Sequence, residues 1–121
     1  LEEALLAAVR EEMAELDEAV GPEGGRIAVI APDPGACAAW LGADAALAAA
    51  MEAPGGDVLR ARLAVMGPVM SKGLEFDVVV LVEPGVIGQA SPGDLYVAMT
   101  RPTRRLRVVS AGPLPSGLTA P

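Results

Sequence analysis

Two stretches of this 121-residue chain hold side chains whose types and spacing could do chemistry. The first is Ser71-Lys72-Gly73-Leu74-Glu75-Phe76-Asp77. Lys72 is a point charge suited to phosphate, Gly73 lets the backbone approach an anion closely, and Glu75 offers acceptors to ribose-type hydroxyls. On spacing alone, a strand-connecting turn with a solvated lysine and glutamate accounts for the same residues. The second stretch runs from Asp94 to Leu106 and places arginines at 101, 104 and 105. A guanidinium stays protonated and forks onto phosphate oxygens, so a fixed arginine can stabilise charge on a transferring phosphoryl group. The plainer alternative is a basic turn whose arginines pair with Glu83 or Asp94. Tyr96 and Met99 read as core residues rather than ligand contacts.

Composition narrows the chemistry further. The chain has no histidine, which excludes Ser-His-Asp catalysis, histidine-based metal cages and titration switches near neutrality. Cys37 has no partner for a disulfide, a usage that fits a reducing cytoplasm. The net charge of −7 disfavours non-specific nucleic-acid binding through overall charge, but the acidity is uneven. Residues 1–57 hold twelve acids and two arginines, whereas residues 58–121 hold four acids and seven bases, so an anion site is expected in the second half. Three aromatics, Trp40, Phe76 and Tyr96, are too few for a stacking platform along a single strand. No apolar run approaches the ~20 residues of a membrane span, and the acidic N-terminus is no signal peptide. A chain opening on Leu1 reads as a piece excised from a longer protein.

The elements that must position the two stretches follow from periodicity. Leu1, Leu5, Val9, Met13, Leu16 and Val20 recur at helical steps with glutamates mostly between them, so residues 1–20 form an amphipathic helix with a solvated acidic face. Gly21 and Pro22 stop it. Residues 26–30 are a strand, and Asp33-Pro34 supplies an N-cap and a first-turn proline for a helix through Trp40. A second alanine-rich helix spans 43–51. Residues 63–66, 78–82 and 106–109 are further β-prone runs. Because these runs do not alternate, the strands are covered on both faces, which gives an α/β fold with a mostly parallel sheet. Ser91-Pro92-Gly93-Asp94 starts a capped helix to about Thr100, with Leu95, Ala98 and Met99 on the sheet and Arg101 at its C-terminal end. The first stretch is expected at the carboxyl end of the sheet, where open α/β folds place ligands.

Taken together, M-S-K-G-L-E-F-D-V-V-V-L followed by D-L-Y-V-A-M-T-R-P-T-R-R-L closely resembles motifs V (71–77) and VI (94–106) of UvrD/Rep-type superfamily 1 helicases. The strand at 26–30 is similar to the start of motif IV. The V-x-x-S-K-G-L-E-F form and the L-P-S-G-L ending look most like the bacterial HelD branch, whose members act on RNA polymerase. The resemblance implies a C-terminal RecA-like lobe, three-layer α/β/α, over residues 1–111, followed by a loosely ordered tail at 112–121. In that family ATP and Mg²⁺ lie between two lobes. By resemblance Arg101 reaches the γ-phosphate, Glu75 meets the ribose side, and Lys72 and Gly73 shape the loop that couples nucleotide state to the track. The implied partners are the N-terminal RecA-like lobe and DNA, and RNA polymerase under the alternative reading as a HelD-like factor or non-catalytic adaptor.

The sequence departs from the family at two places. No basic residue stands at 34–38, where a motif IV arginine is usual, so a second phosphate contact has no counterpart there. Val69 and Met70 stand where DNA-translocating relatives carry a histidine. The phosphate loop Gly-x-x-x-x-Gly-Lys-Ser/Thr is absent, because Gly67 is followed by Lys72-Gly73 in reverse order. The expectation is a half-site that binds no ATP or Mg²⁺ by itself and is inactive alone.

Overall fold

The structure is a computed structural model that describes residues 1–21, 24–57 and 60–111. The first helix, α1 (Glu2–Val20), buries Leu5, Ala8, Val9 and Leu16, close to the expected stripe. Its ends differ from expectation: Leu1 and Val20 are exposed, while Glu12, expected on the solvated face, is 1% exposed. The chain then turns at Gly25, where a Cβ would lie 2.4 Å from the Leu16 side chain, so only glycine lets β1 (Ile27–Ile30) pass so close to α1.

Two short helices follow, α2 (Pro34–Gly42) and α3 (Ala45–Met51). Asp33 accepts from the Ala36 amide and Asp44 accepts from the amides of Ala46 and Leu47, so each helix has a carboxylate on its otherwise unpaired N–H groups. Next come β2 (Leu63–Met66) and β3 (Phe76–Val82), then α4 (Pro84–Ala90), α5 (Pro92–Met99) and β4 (Pro102–Val109). Ser91 caps α5 through the Asp94 amide, as its sequence requires. The helix α4 is absent from the sequence reading, and β3 and β4 begin earlier than their apolar runs.

All strand pairs are parallel, in the order β2-β1-β3-β4. Every residue of central β1 is buried. Alternate side chains serve two cores: Ile27 and Val29 face α1, α2 and α3, while Ala28 and Ile30 join Phe76, Val79, Leu81, Ile87 and Ala98 beneath α5. Burial of each large aliphatic in such a position contributes roughly 1.5–3 kcal/mol relative to exposure. This is the three-layer α/β/α arrangement expected, with a fully parallel sheet. No helix among the described residues is long and apolar enough to cross a membrane. The tail at 112–121 lies outside the described residues.

The charge imbalance between the halves is resolved internally. Glu12 on α1 meets Arg105 and Arg107 on edge strand β4: its Oε2 accepts from both at 3.2 Å, and its Oε1 lies 3.0 Å from Arg105 Nε. Glu15 pairs with Arg105, Glu11 with Arg107, and Asp17 with Arg62. Much of the basic second half is therefore neutralised by the acidic helix rather than kept for a ligand.

Candidate functional site

Residues 67–75 connect β2 to β3, which are separated in the sheet by β1, so the segment must cross β1. It crosses on the α5 side without a helix. Ser71, fully buried, anchors the crossing: its hydroxyl donates to the Pro68 carbonyl at 2.6 Å and its amide to the same oxygen at 3.2 Å. Gly73 then adopts φ +78°, which glycine takes without a Cβ penalty, and the Leu74 amide donates back to Ser71. Leu74 packs into the second core and Phe76 is buried there. Val69 and Met70, at the tip, are exposed.

Lys72 is exposed, and its Nζ lies 3.8 Å from Asp94 Oδ1 in the first turn of α5. Arg101 ends α5, and each guanidinium nitrogen has a partner: Nε donates to the Val97 carbonyl at 3.0 Å, Nη1 to the Leu74 carbonyl at 3.1 Å and Nη2 to the Thr100 hydroxyl at 3.1 Å. No carboxylate pairs with it among the described residues. The Phe76 amide donates to the Arg101 carbonyl, and the Thr103 hydroxyl to the Phe76 carbonyl. The two stretches singled out by sequence are thus joined at four points, two of them through Arg101.

Their place in the fold differs from the expectation. Glu75 immediately precedes β3 and Arg101 immediately precedes β4, and parallel strands all begin at one edge. Both residues therefore sit at the amino edge of the sheet, not the carboxyl edge. Lys72 is held through Asp94 near the start of α5, apart from that edge in chain direction. Arg105 pairs with Glu12 and Glu15, not with Glu83 or Asp94, and Arg104 is exposed. Glu83, at φ 49°, instead accepts from the Ser110 hydroxyl and the Ala111 amide. Tyr96, expected in the core, is 71% exposed, while Met99 packs against the second core as expected.

The sequence reading treats Arg26 as the first residue of a strand and nothing more. In the structure it belongs to this edge: its guanidinium carbon stands 5.0 Å from the centroid of the Phe76 ring. With Glu75, Phe76, Asp77 and Thr103 it lines a hollow of about 190 Å³. The available signal was an arginine heading an otherwise apolar strand.

Elsewhere, burial pushes the Cys37 thiol pKa up, with a further rise from neighbouring Asp33. A group of that character is a core residue rather than a nucleophile. Among the described residues no cluster of histidine, cysteine and carboxylate side chains could hold a metal ion.

No protein-family model and no curated protein matches the chain. Among solved structures, the C-terminal domain of a possible DNA helicase from Lactobacillus plantarum WCFS1 is similar to it, with a TM-score of 0.65 and 23% identity. The match covers 94% of this chain and 71% of that one. The likeness is one of fold: four parallel strands between layers of helices, in keeping with a RecA-like lobe.

Proposed function

We propose that the chain is the C-terminal RecA-like lobe of an ATP-dependent DNA helicase or translocase, and that the amino edge of its sheet faces the nucleotide. The observation that carries this reading is the junction of the two motif-like stretches through Arg101, whose Nη1 holds the Leu74 carbonyl. The fold likeness to a helicase C-terminal domain supports it. The sequence carries no phosphate loop, and the described residues carry no cluster of metal-ligating side chains, so this reading assigns Mg²⁺ to the other side of the cleft. The metal and the phosphate loop then belong to a partner lobe.

In this reading Arg101 acts in trans across the cleft. Its guanidinium currently donates to two backbone carbonyls and one hydroxyl, all neutral acceptors. A phosphate oxygen forms a charge-assisted bond roughly twice as strong, so it can displace one of them. Displacement at Nη1 frees the Leu74 carbonyl, and with it the end of the β2–β3 crossing. Glu75, exposed at the same edge, is placed to accept from ribose hydroxyls.

The test is steady-state ATP hydrolysis by the two-lobe protein carrying Arg101→Ala or Arg101→Lys, with folding checked by circular dichroism. An arginine that stabilises a transferring phosphoryl group contributes about 10³ to 10⁵ in kcat, and lysine does not replace its fork. A loss below about tenfold overturns the reading.

A further inference from the structure

The three partners of the Arg101 guanidinium are not equivalent, and the way two of them are linked decides which side of the group is left for a ligand. Val97 and Thr100 take hydrogens from Nε and Nη2, on one side of the guanidinium. These two acceptors are themselves bonded, because the Thr100 hydroxyl donates to the Val97 carbonyl at 2.9 Å. A closed ring results, running through the Val97 oxygen, Arg101 Nε and Nη2, and Thr100 Oγ1. Leu74 is a different kind of partner. It reaches Nη1 from 27 positions away in the sequence, on the β2–β3 crossing, so a phosphate can replace it while the ring stays closed.

The end of α5 explains why the ring forms. In an unbroken helix the Val97 carbonyl would accept from the Arg101 amide. Here α5 stops at Met99, that amide donates to the Ala98 carbonyl at 3.3 Å, and the Val97 oxygen accepts from the Thr100 amide at 3.2 Å. A carbonyl at the negative end of a helix attracts further donors, and the Thr100 hydroxyl and Arg101 Nε supply them. The consequence for Thr100 is specific. A hydroxyl has one proton, and this one is committed to Val97, so only lone pairs face Nη2. Thr100 therefore offers a phosphate no donor of its own, and it acts on one through Arg101.

We propose that Thr100 is a positioning residue for Arg101: its hydroxyl, tied to Val97, fixes the guanidinium plane so that Nη1 and the second hydrogen of Nη2 face the terminal phosphate together. This rests on the proposed action of Arg101 across the cleft. It adds a separate requirement, because it depends on a neutral hydroxyl rather than on the charge.

Steady-state ATP hydrolysis by the two-lobe protein, with kcat and KM separated, tests it in four variants. Thr100→Val keeps the branched shape without the hydroxyl, Thr100→Ser keeps the hydroxyl, and Arg101→Ala is made alone and together with Thr100→Val. Thr100→Val should lower kcat about ten- to a hundredfold, the loss expected for one hydrogen bond to a charged group, with KM for ATP little changed. Thr100→Ser should recover most of that loss. The double variant should be no slower than Arg101→Ala, since the hydroxyl works only through the guanidinium. Thr100 is exposed, so each variant should unfold at close to the parent temperature, which thermal unfolding checks. Equal losses in Thr100→Val and Thr100→Ser, or a further loss in the double variant, overturn the assignment to a hydroxyl acting through Arg101. Undiminished kcat in Thr100→Val, with the Arg101→Ala loss present, overturns the positioning role alone. Absence of the Arg101→Ala loss overturns the placement of Arg101 at the phosphate, and the role of Thr100 with it.

Discussion

Glu12 is a buried carboxylate between two arginines, and its removal should cost less than theirs. Its side chain is 1% exposed, whereas Arg105 and Arg107 are 45% and 35% exposed. Truncation by Glu12→Ala leaves two guanidiniums that reach water and keep Glu15 and Glu11 as partners. Removing one partner of a buried pair costs about 3–5 kcal/mol when the charge left behind is buried, so this exposed remainder should bring the cost down to about 1–2 kcal/mol. The double variant Arg105→Gln with Arg107→Gln is the opposite case, leaving Glu12 enclosed with no cation, and the full 3–5 kcal/mol or so applies. For a chain of this length that corresponds to roughly a 10–20 °C fall in Tm. Glu12→Leu, which replaces the carboxylate with apolar volume, should be at least as stable as Glu12→Ala. Urea unfolding of the 121-residue chain at pH 7, followed by circular dichroism, measures all four proteins. If the double arginine variant is no less stable than Glu12→Ala, the carboxylate is not enclosed by these two residues and the argument fails.

Two further outcomes follow from titratable groups. Cys37, buried and with its thiol pKa raised, should react with a disulfide reagent at pH 8 only as fast as the domain opens; full labelling within seconds, without denaturant, would contradict its burial. The Asp44 pKa is held below its usual value, first by the hydrogen bond from Arg10 and then by the Leu47 amide. A depressed folded pKa gives stability that is present above the unfolded value of about 3.9 and lost as pH falls through the folded value. Asp44→Asn should therefore flatten the acid limb of a stability profile measured from pH 5 to pH 2, and an unaltered limb would rule the contribution out.

Much of the fold is visible in the residue pattern, because it depends on short-range rules. The unalternating runs IAVI and VVVLV signal strands covered on both faces, and Asp33-Pro34 and Ser91-Pro92 mark helix starts that the structure keeps. Other features depend on distant partners. The seven residues of α4, with two glycines, have weak intrinsic helix preference, and the element is fixed by burial of Pro84 and Ile87. The polar first half of β4 carries no apolar signal; its ladder with β3 makes it a strand, and Pro102 is tolerated as its first residue. Glu12 looks like any surface glutamate until Arg105 and Arg107 arrive from the far end of the chain. At the candidate site, residue types at 72, 73, 75 and 101 are readable, but the edge on which 75 and 101 lie depends on strand direction. Arg26 joins them only because β1 is the central strand beside β3.

The placement of β1 also sets an order in time. Ile27 pairs with Leu63 on one side and Val78 on the other, so β1 has no neighbour until residues 63–66 have been made and only one until residues 76–82 follow. Pairings so distant are slow to close, and an unpaired apolar strand is open to association in the interval. The first helix waits longer still, since the cations opposite Glu12 are at 105 and 107. A chain ending before β4 would thus lack an edge strand, the counter-charges of α1 and the Arg101 contact on the β2–β3 crossing. Cooperativity here runs from the end of the chain back to its beginning, and a C-terminal truncation takes away structure far from the cut.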